Sequence, residues 1–74
     1  MRFPSKEELE YYRREYPVGC RVELGSMDDP QAPPIGTKGT VLGVDDAGSL
    51  LVRWDTGSGL NVIIGVDVVR KIRG

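Results

Sequence analysis

Histidine is absent from the sequence and cysteine occurs once, at Cys20. Those two shortages remove an internal disulfide, any Cys/His zinc cage, and the Ser-His or Cys-His pairing on which nucleophilic catalysis commonly rests. No apolar run approaches the roughly 20 residues needed to cross a bilayer, and Met1 to Tyr16 lacks the apolar middle of a signal peptide. A cytoplasmic location without membrane association is expected, and a lone thiol accords with it. A basic excess is missing too. Ten Lys and Arg stand against eleven Asp and Glu, for a net charge of −1, which is not the balance of a dedicated nucleic-acid binder.

What remains is one small domain of 74 residues. A chain of that size buries only about 60% of the surface its unfolded form exposes. With neither disulfide nor zinc to supplement a small core, stability has to come from closing a sheet. Charge is unevenly spread. Between residues 28 and 67 the acids are Asp28, Asp29, Asp45, Asp46, Asp55 and Asp67, against Lys38 and Arg53, whereas Arg70, Lys71 and Arg73 make the last residues basic.

Ser5 followed by Glu8 forms a capping box, and Pro17 disfavours helix at Tyr16, so residues 5–16 read as a helix. Leu9, Tyr12 and Tyr16 share one face of it. So short a helix is held mainly by packing, and must dock on the rest of the domain, dock on a partner, or fray. Strict alternation in Cys20-Arg21-Val22-Glu23-Leu24 marks a first strand with Cys20, Val22 and Leu24 inward. The stretch Gly25 to Pro34 contains three prolines and forms a long, stiff loop.

Residues 35–54 organise the chain: two strands, Gly39 to Asp45 and Ser49 to Trp54, fold about a turn at Asp45-Asp46-Ala47-Gly48. Val41 and Val44 lie three apart instead of two, which places a bulge at Leu42-Gly43. Leu50, Val52 and Trp54 share a face. A turn at Asp55 to Gly59 leads to a fourth strand, Leu60 to Ile64. A short connection at Gly65-Val66-Asp67 then precedes a last strand, Val68 to Ile72, placed to pair with the first. The expected fold is mainly β: a five-stranded, half-open SH3-like barrel at 17–74, preceded by a short helical segment at 1–16.

Candidate chemistry is sparse. Cys20 lies on an apolar face and reads as a buried structural thiol. Asp28-Asp29 and Asp45-Asp46 read as turn chemistry, because general acid/base catalysis needs carboxyls across a cleft with separated pKa values. Asp45 to Gly48 lacks the ligand ladder of a calcium loop. Gly36-Thr37-Lys38-Gly39-Thr40 leads into a strand, where a phosphate-binding loop would lead into a helix. No metal, cofactor or enzymatic activity is expected. Trp54 reads as core or core edge. An indole edge exposed beside Met27, Pro30, Pro33 and Pro34 would form an apolar groove for an extended peptide.

Three stretches carry a resemblance: Tyr16 to Leu24; Met27-Asp28-Asp29-Pro30 with Ala32-Pro33-Pro34-Ile35-Gly36-Thr37-Lys38-Gly39-Thr40-Val41; and Val52 to Ser58 with Gly65-Val66-Asp67. Together they resemble a small bacterial family, the domain of unknown function numbered 4314, over about residues 16–72. The resemblance implies an SH3-like fold and a boundary near Tyr16, and no activity. Gly19-x-x-Val22 with Gly36-x-x-Gly39-x-Val41 is similar to the KOW motif of ribosomal and transcription-elongation proteins, which bind RNA and protein. Val52-Arg53-Trp54-Asp55-Thr56-Gly57 is similar to a hairpin of SH3-like modules in Mind-bomb/HERC ubiquitin ligases, which bind peptides.

The expected function is protein or peptide binding through Met27, Asp28, Asp29, Pro30, Pro33, Pro34 and Trp54, by a monomer or weak homodimer. The alternative is RNA binding, with Lys38, Arg53, Arg70, Lys71 and Arg73 on phosphates. Those five on one face would favour nucleic acid, and dispersal among the aspartates would disfavour it.

Overall fold

The computed structural model describes residues 4–73. Its helix, α1 (Lys6–Glu15), begins at the capping box: the Ser5 hydroxyl accepts from the Glu8 amide and the Glu8 carboxylate accepts from the Ser5 amide, both at 3.1 Å. Acids in the first turn and Arg13 and Arg14 in the last suit the helix dipole. No α1 residue is fully buried, yet Leu9 and Tyr12, with Tyr16 just beyond, pack their stripe against the core. Arg13 ties the helix down, its guanidinium donating to the Val44 carbonyl at 3.3 and 3.1 Å and to Asp46 at 3.1 Å. The helix therefore docks on the sheet.

Five antiparallel strands follow: β1 (Arg21–Ser26), β2 (Lys38–Val44), β3 (Ser49–Trp54), β4 (Val62–Ile63) and β5 (Val68–Ile72). Their spatial order is β4-β3-β2-β1-β5. The β2–β3 register slips between Val41 and Gly43, so the expected bulge is present. Asp45 shapes the turn between them. Its carboxylate accepts from the Ala47 and Ser49 amides at 3.0 and 2.8 Å, and Gly48 supplies the positive φ of 84°. β5 pairs with β1 from Arg21↔Ile72 to Ser26↔Val68. No ladder joins β4 to β5, where an isolated bridge links Ile64 and Asp67. The sheet is thus the half-open barrel expected, with its seam between β4 and β5.

The core consists of Val22, Leu24, Val41, Val44, Leu50, Val52, Trp54 and Val62, contributed by four strands. Trp54 is its largest member, only 1% exposed, and its indole N–H donates to the Leu60 carbonyl at 2.8 Å. That bond explains where the fourth strand departs from expectation. The Leu60 carbonyl is committed to Trp54 and the Leu60 amide approaches the Ser58 hydroxyl at 3.3 Å, so a strand expected over 60–64 shrinks to Val62–Ile63. The chain then turns sharply, with the Val66 and Asp67 amides both donating to the Ile63 carbonyl.

Gly39 is required by this core. A Cβ there would lie 2.6 Å from Val52 Cγ1 and 2.8 Å from the Trp54 ring, with the Arg53 carbonyl at 3.0 Å. Gly39→Ala is therefore expected to cost about 1–3 kcal/mol in urea denaturation, the usual range for overpacking. Gly59→Ala, whose Cβ would meet nothing within 4 Å, should unfold close to the wild type.

Candidate functional site

The residues expected to form a groove around the long loop do not come together as one. Trp54 lies inside the sheet with its indole N–H satisfied, so it has no edge to lend to a peptide, and that expectation is corrected. The loop is strapped to β1 through Gly36 amide to Leu24 carbonyl and Leu24 amide to Thr37 carbonyl, both 2.8 Å. Strapping turns Pro33 inward, where it is buried, and leaves Pro30 and Pro34 exposed. Met27 packs half-buried against the core. Asp29 shapes its own turn, its carboxylate accepting from the Gln31 amide at 2.8 Å.

Met27, Asp28 and Asp29 instead face the corner between β4 and β5. With Leu60, Asn61, Ile63, Val66 and Asp67 they line an open cleft of about 500 Å³. A second cleft of about 290 Å³ lies on the other side of Ile63 and Val66, walled by Pro4 and Tyr12 and by the hairpin turn at Ala47 and Gly48. A third, of about 160 Å³, enters the barrel seam between Val62, Ile64, Val68 and Val69, with Tyr16 from the end of the helix on its wall. All three meet on residues 62–69. Here Ile63, Val66 and Val68 are 52%, 72% and 55% exposed, whereas the other large exposed hydrophobics, Tyr11, Val18, Ile35 and Leu42, lie at separate places in the chain. Asp67 supports the corner by accepting from the Ile63 amide at 2.9 Å.

Sequence reasoning missed this corner, although a signal was present. Seven of the ten residues from Leu60 to Val69 are aliphatic. A half-buried strand shows alternation, and Val62-Ile63-Ile64 in succession breaks it, so some of that run had to remain outside.

The cations do not form a stripe. On the outward face of the sheet, cross-strand neighbours run Arg70, Glu23, Lys38 and then Asp55, alternating in sign. The next row carries Arg21, Thr40 and Arg53. Arg21 binds Asp55 through two parallel bonds of 2.8 and 2.6 Å, and Arg70 meets Glu23 at 2.8 Å. Lys71 stands opposite the inward residue Val22 and pairs with Glu15 of the helix at 3.3 Å. Arg73 follows β5 and is exposed. Of the five cations expected on phosphates, three share a face that is interleaved with acids, and Lys71 lies on the other side.

Nor is there an activated nucleophile at Cys20, which is partly buried. Burial raises its thiol pKa, opposed only in part by Lys71, so it stays protonated at neutral pH. Among the described residues no three His, Cys, Asp or Glu side chains converge as a metal-binding group. Asp28, Asp29 and Asp67 are thus separate charges on a rim.

The model of one family, described as a domain of unknown function (DUF4314), matches residues 5–72. The chain belongs to the DUF4314 family. Its match takes in α1 as well as the sheet, in keeping with the helix stripe packed on the core. No curated protein and no solved structure matches this DUF4314 chain. Function must therefore be read from the surface itself.

The Arg21–Asp55 pair makes one pH prediction. Hydrogen bonding to Arg21 holds the Asp55 carboxyl below its ordinary value, reinforced by the charges of Arg21 and Lys38. A carboxyl depressed on folding adds stability that is fully present above the unfolded value of about 3.9 and is lost as pH falls through the folded value. The stability difference between wild type and Asp55→Asn, from urea unfolding, should hold steady at neutral pH and shrink in acid. Carboxyl-detected NMR should show Asp55 titrating lower than in Arg21→Met.

Proposed function

We propose that this domain is a non-enzymatic interaction module that binds a segment of a partner protein at the β4–β5 corner. One observation carries the reading. Ile63 and Val66 stand exposed and together line two of the clefts, while a core of eight described residues lies beside them. Leaving Ile63 and Val66 in water forgoes burial worth about 25 cal/mol per Å², and exposed apolar side chains that share a cleft mark an interaction surface far more often than scattered ones. The open cleft, at about 500 Å³, falls within the volume range typical of ligand sites.

Met27, Asp28 and Asp29 keep a role in this reading as one wall of that cleft, and the prolines beyond them hold the loop in shape. Nucleic-acid binding is the weaker reading, because, of its five cations, Arg70 and Lys71 are engaged by carboxylates that a phosphate would have to displace, and Lys38 stands between Glu23 and Asp55.

The reading is tested by selecting binders from a displayed library of short random peptides, then titrating the recovered peptides into the ¹⁵N-labelled chain. Amide shifts are expected within residues 60–69 and at Met27 to Asp29. Val66→Asp should weaken binding roughly tenfold, as for a central interface side chain, and should leave the remaining spectrum unchanged because Val66 is 72% exposed. Single-stranded RNA that shifted Lys38, Arg53 and Arg70 at low salt, together with a peptide-silent corner, would overturn the reading.

A further inference from the structure

The exposed apolar corner has a charge character as well as a shape. Asp28, Asp29 and Asp67 stand on the rim of its largest cleft, and none of the described Lys or Arg side chains lines any of the three clefts. No salt bridge among the described residues neutralises those three carboxylates. The cations of the outward face and of β5 lie elsewhere, several of them held by Glu15, Glu23 and Asp55. Among the described residues, the cleft that Ile63 and Val66 line carries acids and no cation, which disfavours an acidic partner through like-charge juxtaposition and draws a basic one.

Resting on the interaction reading above, we infer that the corner's occupant is a cationic, aliphatic-bearing segment of a partner protein. Its apolar side chains cover Ile63 and Val66, and its Lys or Arg residues reach the rim carboxylates. A second copy of this chain is not the occupant. The chain's own basic segment, β5, is aligned in the sheet, with Arg70 on Glu23 and Lys71 on Glu15. Docking that edge into another molecule's corner would break both pairs and create a head-to-tail contact that does not close on itself.

The charge of the peptides selected from a random library decides the matter, with the selection run in parallel on wild type, Val66→Asp and Asp28→Asn. The expected pool is enriched in Lys and Arg alongside aliphatic residues and is lost with Val66→Asp. Its members should bind Asp28→Asn about two- to fivefold more weakly, the span for one exposed ion pair, and should weaken further as salt rises. Among the described residues Asp28 makes no side-chain bond that Asn would disturb, and the ¹⁵N spectrum verifies the fold of each variant. A neutral or acidic pool that is still lost with Val66→Asp would overturn the cationic occupant and leave the corner as the binding surface. A pool indifferent to Val66→Asp, an empty pool, or concentration-dependent dimerisation through residues 60–69 would overturn both.

Discussion

The burial of one indole governs the geometry of everything after it. Trp54 sits at the centre of the core with Gly39 left bare to receive its ring. A buried N–H without an acceptor would cost about 1–3 kcal/mol, so the chain beyond the next turn must bring it a carbonyl, and Leu60 does so. That commitment takes Leu60 out of the ladder, shortens β4 to two residues, and forces the turn from which Asp67 reaches back to the Ile63 amide. The seam of the barrel and the exposed aliphatic corner both lie in the chain directly after that bond.

Electrostatics divides the same surface in two. Along one row of the outward face, Arg70, Glu23, Lys38 and Asp55 alternate in sign, so that opposite charges are neighbours, an arrangement that favours cross-strand pairing. Around the corner, Asp28, Asp29 and Asp67 line the clefts and no described cation does. Near-neutral overall charge therefore hides a local imbalance, which is why a formal charge of −1 says little about partners.

Features written in periodicity and turn chemistry were legible in the sequence, and a single side-chain-to-backbone bond was not. The capping box, the Asp45 turn, the bulge beside Gly43 and the alternation of Leu50, Val52 and Trp54 each depend on residues within a few positions of one another. The pairing of the last strand with the first followed from edge logic. What escaped was the bond between Trp54 and Leu60, which no periodicity encodes, and with it the shortening of β4 and the site. The proline-rich loop is distinctive in composition, but its backbone bonds to Leu24 and the burial of Pro33 show those residues shaping the loop.

Strand order also sets the order in which the molecule acquires its structure. The β2–β3 hairpin needs contacts only across a short turn, whereas β1 waits for β5, with Arg21 meeting Ile72 across a long stretch of sequence. Closing so long a loop is entropically costly and slow relative to forming a hairpin. During synthesis the hairpin can form early, but β1 keeps one edge open and the helix lacks its Lys71 contact until the last strand leaves the ribosome. The domain is thus completed at one late step, and a chain stalled before residue 68 would present β1 as a bare edge.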